Sequence, residues 1–313
     1  MVIAGAPTRL KATLAVDSRC VLGESILWCE RRQELFWVDI EARQLWRHVP
    51  ANGTTRQWTL PDRVGCIAFA QDERLLIGLA NGLYALERAA LERAALEAGS
   101  ALELHLLCPV EADNPDTRIN DGRADREGRF VFGTKSERAD QARVGRFHQY
   151  SAEHGLRELA LPPTSIPNSI CFDSTGTLIH FCDSLDPRIL CAEYDSASAR
   201  VDNIRTFVEL DDPAASPDGS CMDREGALWN AQWGAGRVVR YWPDGSVDRI
   251  VTVPTQQVSC CALGGPAGNR LYTSSARIDL DDAALVASPH AGGVFATPLE
   301  ASLARAEDRV RLP

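Results

Sequence analysis

Short apolar runs alternate with polar breaks along nearly the whole chain. Runs such as LFWVDI, VGCIAFA, LLIGLA, FVFGT and LIHFC are separated by clusters of Gly, Pro, Asp and Asn. That pattern predicts short strands joined by turns, an all-β chain. One stretch departs from it. LERAALERAALEAG, residues 86–99, has the Leu/Ala spacing and Glu/Arg content of a helix, and is expected as a helical insertion.

The apolar runs fall into six related segments, each a run, a turn and a second run. They are GESILWCERRQELFWVDI from Gly23, VGCIAFAQDERLLIGLA from Val64 and INDGRADREGRFVFGTK from Ile119. Then come PNSICFDSTGTLIHFCDS from Pro167, PDGSCMDREGALWNAQW from Pro217 and VSCCALGGPAGNRLYTSS from Val258. A third run follows most of them, such as GRVVRYW, and in several a fourth, such as SVDRIVTV. Six repeats of four strands predict a six-bladed β-propeller with four-stranded antiparallel blades. A repeat of this kind cannot bury its own faces, so one domain spanning residues 1–313 is expected. The N-terminal strand, about residues 10–16, is expected to close the last blade.

Aligned on the first run, the repeats place Glu24, Gly65, Asn120, Asn168, Asp218 and Ser259 in one column. Asn120, Asn168 and Asp218 each lie five residues before an Asp (Asp125, Asp173, Asp223), which supports the register. The first strand of a propeller blade lines the central channel, so these positions should converge. Two carboxylates brought together under burial need a cation or a proton. Glu24, Asn168 and Asp218 are therefore candidate ligands of one divalent metal ion, with Asn120 beside it. An oxygen-only donor set suits Ca²⁺, Mg²⁺ or Mn²⁺, and Zn²⁺ accepts it less readily.

Composition narrows the function classes. The chain has 313 residues and a net charge of −10, which argues against nucleic acid as a partner. No apolar run is long enough for a membrane helix, and the N-terminus lacks the pattern of a signal peptide. Most of the ten cysteines sit inside apolar runs and none forms C-x-x-C. Buried, reduced thiols in a cytoplasmic protein are expected, as a monomer or weak dimer. There is no G-x-S-x-G elbow and no paired-histidine motif.

The motifs GESILW, WVDIEARQLWR, RINDGRADREGRFVFGT, PNSICFD, PDGSCMDREGALWNAQWGAGRVVRY and SCCALGGP together give the chain a family likeness. It resembles the SMP-30/gluconolactonase/regucalcin-like sugar lactonases from about Leu22 to Gly292. The resemblance implies a six-bladed propeller with one divalent metal in the channel, hydrolysing a sugar-acid lactone, a pentono- or hexonolactone, to the free acid. It implies Glu24, Asn168 and Asp218 as metal ligands, and Arg118 and Asn120 as substrate-binding residues. One stretch departs from the family. Where many relatives read GTM followed by a substrate-contacting Glu, this chain reads GTKSER. Lys135 replaces the Met, and Arg138 takes the place of the Glu. Glu137 is then the candidate contact, and Lys135 is either a second one or a surface lysine.

The expected mechanism has the metal polarise the lactone carbonyl, Arg118 add a fixed positive charge, and Asp218 act as general base on water. Two other functions fit the same residues. One is a metal-dependent esterase of broader specificity. The other is a non-enzymatic calcium-binding protein of the regucalcin kind.

Overall fold

Both faces of every repeat are apolar, and the fold follows from that. In the computed structural model, which describes residues 6–96 and 102–313, six sheets stand around a central axis as a six-bladed β-propeller. The innermost strands are Gly23–Cys29, Val64–Phe69, Thr117–Ala124, Pro167–Phe172, Ser216–Met222 and Val258–Gly264, in blades one to six. Within each blade the strands pair antiparallel from the axis outward, in chain order for the first five.

Each junction between neighbouring blades holds its own hydrophobic cluster. Leu27, Phe36 and Val38 of blade one meet Val64, Ile67 and Ile77 of blade two. Ile26, Trp28 and Trp37, on the opposite face of blade one, meet Cys260, Ala262 and Tyr272 of blade six. Four further clusters join blades two and three, three and four, four and five, and five and six. Strand alternation sends successive side chains to opposite neighbours, so a strand buried on both faces reads as a continuous apolar run. At the closing junction Trp28 stacks on Tyr272, with ring centroids 5.5 Å apart. A Cβ on Gly264 would lie 2.2 Å from the Trp28 ring, so only glycine admits that ring.

The N-terminal segment divides between two blades. Thr13–Val16 pairs antiparallel with Val294–Pro298 and is the outer strand of blade six. Thr8–Lys11 instead runs parallel to Val247–Thr252, as a fifth strand of blade five. Ala12 is buried between the two blades it joins. The expected strand over residues 10–16 is thus two strands, because the segment crosses a blade boundary.

The helix spans Arg88–Leu96 and lies between the third and fourth strands of blade two. It starts later than expected, since Leu86 ends the preceding strand, and residues 97–99 of the expected helix lie outside the described residues. Leu91 joins the cluster between blades one and two, and Arg88 pairs with Glu34. Among the described residues no helix is long and apolar enough to cross a membrane. All ten cysteines are free thiols, and only Cys108 is more than slightly exposed.

The C-terminal segment straps the far end of the channel. Val310 N–H donates to Phe69 O at 2.9 Å and Arg311 N–H to Gly128 O at 2.8 Å. Glu307 pairs with the inward-pointing Arg123 at 2.8 Å, and Arg123 also donates to Ser220 O at 3.0 Å. Both side chains of this pair are largely buried (12% and 13% exposed). Removing one member of such a pair strands the other charge. Glu307→Ala is expected to lower the unfolding free energy by about 3 kcal/mol in urea titrations. An apolar replacement of both residues should recover most of that loss. A single-mutant change within about 0.5 kcal/mol, the range of neutral surface substitutions, would show that the strap does not depend on the pair.

Candidate functional site

Every inner strand carries a β-bulge at the same height. Its pairing with the second strand slips between Glu24 and Leu27, Val64 and Cys66, Ile119 and Gly122, Asn168 and Cys171, Pro217 and Ser220, and Val258 and Cys260. All six column positions lie in or at the edge of these bulges. A bulge re-aims side chains and frees backbone groups from the ladder. Ser25 and Ser169, which follow Glu24 and Asn168, adopt left-handed φ values of 49° and 61°.

The freed groups find partners in neighbouring blades. Ile67 N–H donates to Ser25 Oγ at 2.9 Å, and Ile170 N–H to Asp121 Oδ2 at 2.9 Å. Ser169 Oγ donates to Asp218 O at 2.6 Å, and Asn230 Nδ2 donates to the same oxygen at 3.1 Å. The backbone at Asp218 is thereby held from blade four and from within blade five, and the inner strands of blades two and four are held from blades one and three. Gly219 is required by close approach, since a Cβ there would lie 2.9 Å from the Cys260 Cα.

Glu24, Asn120, Asn168 and Asp218 open onto one cavity of about 340 Å³, together with Arg118 and Lys135. That size falls in the range of small-ligand pockets, about 300–1,000 Å³. Leu22, Ile40, Ile166, Leu185, Trp233 and Ile278 supply apolar wall, and Gln141, Ser184, Ser216 and Asp279 supply polar groups. Asn120 Nδ2 donates to Pro167 O at 3.0 Å and to Asn168 Oδ1 at 3.3 Å. Asn168 Nδ2 donates in turn to Ser184 Oγ at 2.9 Å, which donates to Pro217 O at 2.7 Å.

The other two column positions do not reach the cavity. A Cβ on Gly65 would meet Ile119 O at 2.4 Å, so this position is filled by the backbone of blade three. Ser259 is fully buried, and its hydroxyl is committed to Gly23 O in blade one. Glu137 does not line the cavity either. Its carboxylate lies 3.3 Å from Arg118 Nε and pairs on its other oxygen with Arg63. It therefore holds Arg118 in place. Arg138 is exposed and pairs with Asp116 and Asp140.

Burial and mutual repulsion dominate the electrostatics. Burial, then the Asp121 carboxylate, pushes Glu24 from its ordinary 4.5 up to about 8, against a hydrogen bond from Ser25 N–H and the Arg118 charge. Burial, then Glu24 and Asp121, holds Asp218 well above the carboxylate range. Asp121 is raised by burial as well, partly offset by the Ile170 N–H. Sequence reasoning missed Asp121, although it directly follows Asn120. It also missed Ser184, which orients the Asn168 amide and carries no signal beyond a polar residue at a strand end.

Asp218 Oδ1 is buried without a hydrogen-bond partner. A lone carboxylate oxygen beside a second carboxylate and an amide oxygen is a donor set that suits an oxygen-preferring divalent cation. Among the described residues no three His, Cys, Asp or Glu side chains are already gathered as a metal site. The candidate set has only two acidic side chains, with Asn168 as its third member.

Residues 22–277 match the SMP-30/gluconolactonase/LRE-like region. This chain belongs to that family. Its relatives include an L-arabinolactonase of Azospirillum brasilense, 46% identical over 287 residues that cover 91% of each chain. A regucalcin of Sus scrofa is 30% identical over 292 residues, covering 91% of this chain and 93% of the relative. A family structure, a calcium-binding regucalcin from Agrobacterium tumefaciens, superposes with a TM-score of 0.87 at 29% identity, covering 98% of this chain and 100% of that one.

The raised carboxyl groups make stability pH-dependent with a definite sign. A carboxyl raised in the folded state contributes stability that is present at acid pH and lost as pH climbs from its ordinary range through its folded value. Without divalent ions, Tm is expected to fall as pH rises from the 4.5 region through about 8. Glu24→Gln should flatten that fall in thermal scans with chelator across this range. A wild-type profile as flat as the variant's would remove the buried-carboxylate account.

Proposed function

We propose that this protein hydrolyses a sugar-acid lactone to the free aldonic acid, with Glu24, Asn168 and Asp218 holding one divalent metal ion. The observation that carries this reading is the unpartnered Asp218 Oδ1, buried on a cavity that Glu24, Arg118 and Lys135 also line. Membership of the family and the likeness to an L-arabinolactonase support the lactonase class. A pentonolactone of the L-arabino series is the leading candidate, ahead of hexonolactones.

A bound divalent ion supplies Lewis-acid polarisation at the lactone carbonyl. The chain's own groups do the rest. Arg118 is fixed by Glu137 and by its own donation to Ile119 O and Asn120 Oδ1, at 2.9 and 3.1 Å, so its charge meets the substrate without reorganisation. Asn120 lines the cavity with its amide held by Arg118, Pro167 O and Asn168 Oδ1, and binds a sugar oxygen by exchanging one of these bonds. Asp218 takes the proton from water as the water oxygen bonds to the carbonyl carbon, and Glu24 acts as a ligand. The apolar wall from Leu22, Ile40, Ile166 and Trp233 limits competing water.

Chelator-treated protein is expected to be inactive on L-arabinono-, D-xylono-, D-galactono- and D-glucono-lactones in a pH-drop assay. One or more of Ca²⁺, Mn²⁺, Mg²⁺ and Zn²⁺ should restore turnover, with phenyl acetate a poorer substrate. Asp218→Asn should lower kcat by about 10²–10⁴-fold, the range of general-base loss. Unchanged rates after chelation would overturn metal dependence. Metal-raised Tm with no lactone opened above its spontaneous rate would favour the calcium-binding reading, and preference for phenyl acetate would favour the esterase.

A further inference from the structure

Lys135 is one of only two lysines in the chain. It lies directly opposite Arg118 on paired antiparallel strands, Thr117–Ala124 and Phe130–Ser136. Opposed residues leave a sheet on the same face, and both side chains line the cavity. Their situations differ. The Arg118 guanidinium donates to Ile119 O and Asn120 Oδ1 and is ion-paired to Glu137, although its Nε makes no hydrogen bond. The Lys135 ammonium, among the described residues, has no hydrogen-bond or ion-pair partner.

The charged groups around Lys135 leave it uncommitted. Arg118 and Arg63 repel it. Glu137 is shared between those two arginines, and Glu41 lies 4.0 Å from Arg63. Asp218 and Lys135 feel one another's charge, but no ion pair or hydrogen bond joins them among the described residues. Burial, then Arg118, makes the ammonium a readier proton donor than an exposed lysine. What remains to meet its donors is whatever occupies the cavity.

Opening a lactone has a second half that the residues assigned so far do not serve. After water adds, the carbon–ring-oxygen bond breaks and the ring oxygen leaves as an alkoxide, a strong base that needs a proton. On the lactonase reading Asp218 is engaged with the attacking water, and a second group on the same cavity is placed to serve the leaving oxygen. Arg118 cannot give up a proton, because a guanidinium keeps it at any ordinary pH. We propose that Lys135 is the catalytic acid that protonates the departing ring oxygen. This rests on the lactonase reading above.

The protons balance. Water loses one to Asp218 as its oxygen bonds to the carbonyl carbon. The ring C–O bond breaks with its electron pair on oxygen, and that oxygen takes a proton from the Lys135 ammonium. The new carboxylic acid returns a proton to the Lys135 amine, and Asp218 releases its own to solvent. The net products are an aldonate, its new hydroxyl and one proton.

The test compares Lys135→Ala and Lys135→Arg with the wild type on the best aldonolactone of the panel, at equal metal loading. Both variants should lose about 10²–10⁴-fold in kcat, with KM changed little. Lys135→Arg keeps the charge felt by Asp218, so its failure isolates the missing proton. Methylammonium added to Lys135→Ala should restore part of kcat in a concentration-dependent way. Full activity in Lys135→Arg, a loss confined to KM, or no rescue by methylammonium would overturn the proposal and leave Lys135 a binding cation. If the wild type opens no aldonolactone, the parent reading fails and this one with it. If the wild type is active and Lys135→Ala is equally so, only this one fails.

Discussion

Everything in this molecule depends on the apolar contact between neighbouring blades. No blade has a solvent-facing side large enough to let it stand alone, since both faces of each inner and second strand are buried. The six clusters are therefore links of one ring. Closing the ring forces equivalent positions of distant repeats to the axis. Glu24 and Asp218, nearly two hundred residues apart, line one cavity for that reason. The crossing of the N-terminus between blades five and six, and the strap held by Arg123 and Glu307, secure the same closure.

Convergence alone would give a ring of backbone. The repeated bulge turns it into a site by breaking the ladder at one height in all six inner strands. The cost is a set of unpaired backbone groups, offset by side chains of the next blade such as Ser25, Asp121 and Ser169. Carboxylates are then held where solvent cannot stabilise their charge. The raised proton affinity of Glu24 and Asp218 follows from that position. Arg118 and Lys135 bring an opposite charge to the same cavity, one ion-paired to Glu137 and one without an ion-pair partner among the described residues.

Much of this was legible in the sequence because repetition is a one-dimensional signal. The repeat register picked out Glu24, Asn120, Asn168 and Asp218, and all four open on the cavity. The same register also picked out Gly65 and Ser259, which do not. Their fates depend on how closely the next blade approaches, and no local pattern encodes that distance. Glu137 was the candidate substrate contact because it adjoins Arg138, which stands where relatives carry a Glu. Its carboxylate is instead ion-paired to Arg63, a residue from the start of blade two, and to Arg118. Asp121 was overlooked because an acidic residue after Asn120 has no meaning until the neighbouring blade sets Ile170 N–H against its carboxylate.

The chain contains Pro-Asp-Gly-Ser twice, at residues 217–220 and 243–246. The second copy is a hairpin turn whose geometry is local. Gly245 has a φ of 82°, its N–H donates to Trp242 O at 2.8 Å, and Ser246 N–H donates to Asp244 Oδ1 at 2.9 Å. The first copy lies within an inner strand, with Asp218 buried on the cavity and Gly219 pressed against Cys260 of the next blade. By itself the sequence determined the strands, the sixfold repeat and which residues share a height, because these follow from periodicity and turn chemistry. Only the tertiary structure decided which side chains reach the cavity, which are consumed between blades and which charge stays unpaired. Those outcomes depend on contacts between blades, and the distances across a blade junction exist only once the ring has closed.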